Sequence, residues 1–252
     1  MTGNLKSSGK LFGTLGGIWG RIRRNPVPAV VVLLCIGGFF AFTELASEVM
    51  EGEGHSIDTS ILLMMRSPGD LNDPLGPPWV EEMMRDITAL GGVAVLTFVT
   101  ISSAIYLYLI KRKDLMIYLL AAAGTGTLFS NLLKAGFGRP RPDIVPHEII
   151  VYTASFPSGH SLVAAVVYLT IGVLLAQAQT SYRIKIYILS LAVALTLLVG
   201  ISRIYLGVHW PSDVLAGWLA GSAWAFMLWI VAHYYMRRYR LRDEESLPDG
   251  GN

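Results

Sequence analysis

Charge is scarce in this chain. Only 15% of its 252 residues are Asp, Glu, Lys or Arg, 53% are hydrophobic, and mean hydropathy is +0.51. A soluble domain ordinarily carries about 25% charged residues, so the deficit excludes a conventional water-soluble globule and points to a polytopic membrane protein. Cysteine is nearly absent as well. Cys35 stands alone, which excludes an intramolecular disulfide and any cysteine metal site. It follows Leu34 in an apolar run unlike a lipoprotein processing site and is read as a small apolar side chain. No His-x-x-x-His pair occurs, and the acids of the segments read below as extracytoplasmic are scattered without metal-ligand spacing, so neither a metal nor another cofactor is expected. The formal net charge of +2 says nothing by itself about nucleic acid, and no nucleic acid is expected as a partner.

Long apolar runs are what the chain has instead. A bilayer core about 30 Å thick takes about 20 helical residues. Six stretches meet or approach that length: Val27 to Thr43, Ile87 to Ile110, Leu115 to Leu133, Ser161 to Ala178, Ile186 to Ile201 and Val214 to Tyr235. None alternates as a strand does. The expectation is an all-α fold, a six-transmembrane-helix bundle that uses the chain as a single membrane domain over 1–252. Within it, 1–20 is Gly- and Ser-rich and expected to be mobile, 44–86 is an acidic cover segment on the extracytoplasmic side, and 241–252 is a polar tail. No internal repeat is visible. The cover segment contains two helical-looking pieces, Ile57 to Arg66 and Trp79 to Asp86, separated by Pro and Gly. Glu44 and Glu48 follow the first run where a cleavage site would stand, so that run is read as an uncleaved anchor.

Basic residues orient the bundle. Fourteen of the 20 Lys and Arg fall before span one, between spans two and three, between spans four and five, or after span six. The positive-inside rule makes that side cytoplasmic and puts both termini there. The expected location is the cell membrane, the inner one where there are two. Of the six basic residues left for the outer side, Lys134, Arg139, Arg141 and Arg203 lie in two short segments beside histidines.

Those segments hold three clusters: Lys134 to Pro142, Phe156-Pro-Ser-Gly-His160, and Ser202 to Asp213. Singly, each is ordinary: a snorkelling cation, a turn with a helix N-cap, an acid in a helix's first turn. Together they bring two histidines, a carboxylate and several cations to one face of a membrane protein, where ionisable groups are costly and tend to be functional. That inventory suits phosphoryl transfer from an anionic ester. Lys134, Arg141 and Arg203 can neutralise the phosphate. Ser158 can donate its hydroxyl, and the Gly159 and His160 N–H groups sit at a helix start, a natural anion site. His209 and Asp213, four apart, share a helical face, so Asp213 can hold the Nδ1 proton and leave Nε2 as nucleophile. His160 can protonate the leaving oxygen and then activate water.

Lys-x6-Arg-Pro, Pro-Ser-Gly-His and Ser-Arg-x5-His-x3-Asp in this order resemble the three-part signature of the type-2 phosphatidic-acid phosphatase superfamily. The likeness covers Lys134 to Asp213 directly and extends over nearly the whole chain through the six-helix plan; Arg85 to Gly92 also looks like bacterial members. The resemblance implies a lipid phosphate or diphosphate substrate, with phosphatidic acid, phosphatidylglycerophosphate, undecaprenyl diphosphate and a phosphorylated lipid A as candidates. It also implies a phosphohistidine on His209, His160 as acid and base, and inhibition by vanadate. Arg139 is left between an accessory cation and an interface anchor. His55, His147 and His233 carry no motif and are assigned surface or interface roles, and the tryptophans belt or packing roles.

Other readings stay open at this stage. A phosphotransferase would use the same phosphohistidine with another acceptor. Vanadium-dependent haloperoxidase chemistry uses a similar constellation, but on soluble relatives. A transporter would show more ionisable residues in mid-span, and a catalytically silent lipid-binding relative would be expected to have lost a histidine. Membrane lipids are expected partners; the sequence does not give the oligomeric state.

Overall fold

A computed structural model describes residues 26–52, 54–144 and 154–245, with side chains described as far as Tyr235. The expected mobile segment 1–20, His147 and the end of the polar tail lie outside the described residues. Among the described residues eight helices run in the order α1 (Val27–Glu51), α2 (His55–Leu63), α3 (Pro78–Ala89), α4 (Val93–Leu109), α5 (Lys113–Gly136), α6 (Gly159–Gln177), α7 (Tyr182–Tyr205) and α8 (Pro211–Glu245). Between α2 and α3, β1 (Arg66–Ser67) and β2 (Asp70–Pro74) pair antiparallel around the Pro68–Gly69 turn. Among the described residues this small hairpin is the one departure from helices; it takes up Arg66, read as the end of a helical piece, and the Pro- and Gly-bearing stretch read as chain breakers.

Among the described residues five helices are long and apolar enough to cross a bilayer: α1, α5, α6, α7 and the Pro211–Tyr235 part of α8. The expected second span is not one straight helix. α3 and α4 meet at an angle of 49° and make a sixth crossing only as a bent pair. Gly91 and Gly92 account for the break, since paired glycines weaken a helix. The N–H groups of Gly91 and Gly92 bond back only three residues, to Thr88 and Ala89. Tyr168 of α6 donates its hydroxyl to the Leu90 carbonyl at 2.7 Å and so satisfies an acceptor exposed by the break. α1 continues past Thr43 to Glu51, and α8 runs to Glu245, into the stretch read as a polar tail.

α6 is the centre of the bundle. It packs on α5, α7 and α8, and its helix is the most buried of the candidate spans. Small residues permit this, as expected where helices associate without a hydrophobic drive between them. A methyl group on Gly221 of α8 would stand 2.4 Å from the Leu162 carbonyl oxygen, and one on Gly217 would stand 2.7 Å from that of Ser158. The G-x-x-x-G spacing of α8 thus lets its second and third turns lie against the first turn of α6. Around that junction Phe156, Leu162, Val166, Ala216 and Ala220 are buried with Phe42 of α1. The outward faces of α1, α4, α5 and α7 remain rich in exposed Leu, Ile, Val and Phe, as a lipid-facing surface requires.

Candidate active site

All the candidate site residues come to one end of the bundle. The last turns of α5 and α7 carry Lys134 and Arg203, and the first turns of α6 and α8 carry His160 and Asp213. Arg139 and Arg141 follow α5, and His209 lies in the connection from α7 to α8. Lys111, Arg112, Lys113, Arg183 and Lys185 mark the opposite end. Gly207 makes the α7–α8 turn possible: its φ of 72° is a left-handed conformation that a side chain would oppose. Val208 N–H then bonds back to the Arg203 carbonyl at 3.2 Å, and Pro211 starts α8. Asp213 reaches back to the Trp210 N–H at 2.9 Å, which is half of a capping box.

His209 is 1% exposed and Asp213 fully buried. His209 Nδ1 lies 3.4 Å from Asp213 Oδ2, a long contact, and 3.4 Å from Ser155 Oγ. Ser155 donates a short hydrogen bond to the same Asp213 oxygen. Asp213 Oδ1 faces away and accepts from Arg139 Nη1 at 2.6 Å. On the other edge of the ring, Arg141 Nη1 stands 3.3 Å from His209 Nε2 and donates to the Val208 carbonyl at 2.7 Å. Burial pushes the His209 imidazole down to about 4, against the hydrogen bond and negative charge of Asp213, which pull it up. Burial likewise pushes the Arg141 guanidinium below its ordinary value, and Asp213 again opposes this.

The cations ring the same end. Lys134 Nζ donates to the Ala154 carbonyl at 3.2 Å. A Cβ on Gly159 would come within 3.2 Å of Lys134 Cε, so glycine there lets the lysine lie against the α6 helix start. Arg203 Nη1 donates to Thr88 Oγ1 at 2.9 Å, while its buried Nε finds no hydrogen-bond partner among the described residues. A buried guanidinium N–H left open is costly unless a ligand meets it. Ser158 is buried; its N–H is taken by the Asp213 carbonyl at 2.9 Å, and its Oγ accepts from Ser161 at 3.0 Å. His160 lies within electrostatic range of Arg203, His209, Lys134 and Arg141.

A cavity of about 450 Å³ leads away from this cluster. His160, Lys134 and Gly159 form its polar end, and Thr100, Ile101, Leu120 and Gly124 are among the α4 and α5 residues along its length. From Lys134 to Leu120 the groove follows α5 for about 21 Å at 1.5 Å per residue. His209 does not line it; its ring sits behind, with Nε2 covered by Arg141. Among the described residues no group of three or more His, Cys, Asp or Glu could hold a metal ion.

Arg139, left undecided by the sequence, turns inward: its side chain is 12% exposed and pairs with Asp58 and Asp213 rather than with the interface. Sequence reading missed Ser155, Thr88 and Asp58. Ser155 stands one residue before the cluster that begins at Phe156. Asp58 shares the buried face of α2 with Leu62, and that i, i+4 spacing was its one visible signal. Thr88 had none.

Residues 114–237 match the PAP2 superfamily. The chain is 39% identical over 158 residues to phosphatidylglycerophosphatase B of Bacillus subtilis (strain 168), which covers 60% of this chain and 74% of that protein. It is 30% identical over 125 residues to lipid A 1-phosphatase of Rhizobium etli, covering 46% of this chain and 49% of the relative. Its fold is similar to the crystal structure of a transmembrane PAP2-type phosphatidylglycerolphosphate phosphatase from Bacillus subtilis, with a TM-score of 0.72, 29% identity, and coverage of 79% of this chain and 96% of that one. The chain therefore belongs to the PAP2 superfamily and is a multi-pass membrane hydrolase of the type-2 phosphatidic-acid phosphatase kind.

Proposed function

We propose that this protein hydrolyses the phosphate monoester or diphosphate of a membrane lipid through a phosphohistidine on His209, at the outer face of the cell membrane. The observation that carries the lipid reading is the groove between α4 and α5, which ends on Lys134 and His160. A head group held at that end leaves its tail along the apolar helices, an arrangement a water-soluble ester does not use. Names of relatives at 39% and 30% identity support the class, and phosphatidylglycerophosphate heads the substrates to test.

In this reading Lys134, Arg141, Arg203 and the α6 helix start, with Ser158 and Gly159, bind the phosphoryl oxygens. The lone pair of His209 Nε2 attacks phosphorus, forming a P–N bond as the P–O bond to the lipid breaks. Protonated His160 delivers its proton to the departing oxygen and releases the lipid alcohol from a monoester, or the lipid monophosphate from a diphosphate. The neutral His160 then takes a proton from water as that water attacks phosphorus, and the P–N electron pair returns to Nε2. Asp213 holds the Nδ1 hydrogen throughout, so the ring keeps one tautomer. The preponderance of Lys and Arg at the end remote from this site supports an outward-facing site.

Purified protein assayed for phosphate release against a panel of lipid mono- and diphosphates tests the proposal. Release from at least one lipid with no acceptor present, lost in His209→Ala, is expected. Phosphate release confined to soluble esters, or retained in His209→Ala, would overturn it.

A further inference from the structure

Asp58 lies on α2, in the segment between the first two membrane crossings, and is 4% exposed. Both of its oxygens are engaged. Oδ1 accepts the Ser212 N–H at 2.8 Å, and Oδ2 accepts Arg139 Nη2 at 2.7 Å and the Ser212 hydroxyl. The other arm of the same guanidinium, Arg139 Nη1, donates to Asp213 Oδ1 at 2.6 Å and to Ser212 Oγ at 2.7 Å. One planar fork therefore spans two carboxylates, one from the segment over the site and one from the site itself. Trp210 backs the fork, with Arg139 Cζ 5.5 Å from its ring centroid, and His55 of α2 packs edge-on against the same ring at 4.9 Å.

The arrangement has a consequence for Asp213. A carboxylate with two equivalent oxygens can turn either to the imidazole. Here Oδ1 is tied to Arg139, which leaves Oδ2 for His209, Ser155 and the Trp210 N–H. Arg139 can hold that position only if its second arm is held, and Asp58 is what holds it. Arginine suits the task because its donors sit in a rigid plane, whereas a lysine presents one mobile point charge.

We propose that Asp58 is a positioning residue for the reaction: through Arg139 it fixes the orientation of Asp213, so that α2 completes the site although it supplies no group to the substrate. The inference rests on the reading of Asp213 as the partner of His209. It differs from a purely structural ion pair in that its loss falls on the chemical step and disappears when Asp213 no longer matters.

Asp58→Asn keeps the shape and the acceptor for Ser212 while removing the charge. Steady-state kinetics should show kcat lowered roughly 10–100-fold, the cost of a small displacement at a reacting group, with KM changed by less than about twofold. Asp58→Glu should recover part of the rate. Arg139→Lys, which keeps the charge and loses the fork, should resemble Asp58→Asn and serves if that variant folds poorly. In the Asp213→Asn background, Asp58→Asn should cost less than about twofold more, because both act through one carboxylate. An unchanged kcat in both Asp58→Asn and Arg139→Lys, or losses that multiply in the double variant, would overturn the inference and leave the function of the site standing. An unchanged kcat in Asp213→Asn would overturn the role of Asp213, and this inference with it.

Discussion

Arg141 and His209 meet edge to edge, guanidinium Nη1 3.3 Å from imidazole Nε2. A guanidinium nitrogen has hydrogens to give and no acceptor to offer, so Nε2 turns a lone pair toward it. The ring hydrogen then belongs on Nδ1, which faces Asp213 Oδ2 and Ser155 Oγ. The nitrogen proposed as nucleophile is therefore the one beside a cation proposed to bind phosphate. A phosphoryl group that arrived there would exchange the weak Arg141 contact for a charge-assisted one.

The buried ring should stay neutral well into acid. The folded value of about 4 lies below the unfolded value of 6.5, so the unfolded chain takes up the proton first. The stabilising contribution of neutral His209 is complete above about 6.5 and lost as pH falls from there toward about 4. Nitrogen NMR of histidine-labelled protein in micelles should show one imidazole still neutral and Nδ1-protonated at pH 5.5, missing in His209→Ala. A midpoint near 6.5 for that resonance would contradict the burial argument.

The groove predicts a chain-length effect. Gly124 lines it, and a Cβ there would meet nothing within 4 Å, so Gly124→Trp should fold and fill the channel. For a long-chain lipid phosphate KM should rise about tenfold or more, the scale expected from losing apolar contact along a tail. For a short-chain soluble ester kcat/KM should stay within about twofold. Equal losses on both would mean that the tail lies elsewhere.

Orientation is open to labelling. In a Cys35→Ser background, a cysteine at exposed Asp73 should react with an impermeant maleimide in intact cells, and one at exposed Arg112 should react only after permeabilisation. The reverse pattern would place the site inside.

Much of the fold was legible because apolar length is a one-dimensional property. The bend at Gly91 was less so: hydropathy runs straight through Ile87 to Ile110, and only the Gly-Gly pair hinted that α3 and α4 would part. Lys134, Arg141, His160, Arg203, His209 and Asp213 stood out because charge is expensive beside membrane helices. Asp58 did not, because it sits among many acids in the 44–86 segment and becomes distinctive only when folding buries it against Arg139 and Ser212. Arg139 was visible as a cation, but its direction is a tertiary fact that spacing cannot supply.

In the proposed mechanism phosphorus passes through His209 Nε2. Lipid substrate labelled with ³²P at the terminal phosphate, mixed with protein and quenched in alkali within one turnover, tests it directly, since a phosphoramidate survives alkali. Alkali-stable, acid-labile label is expected on the peptide that contains His209, and none in His209→Ala. Label on another residue, or turnover with no protein-bound phosphate at any quench time, would contradict it.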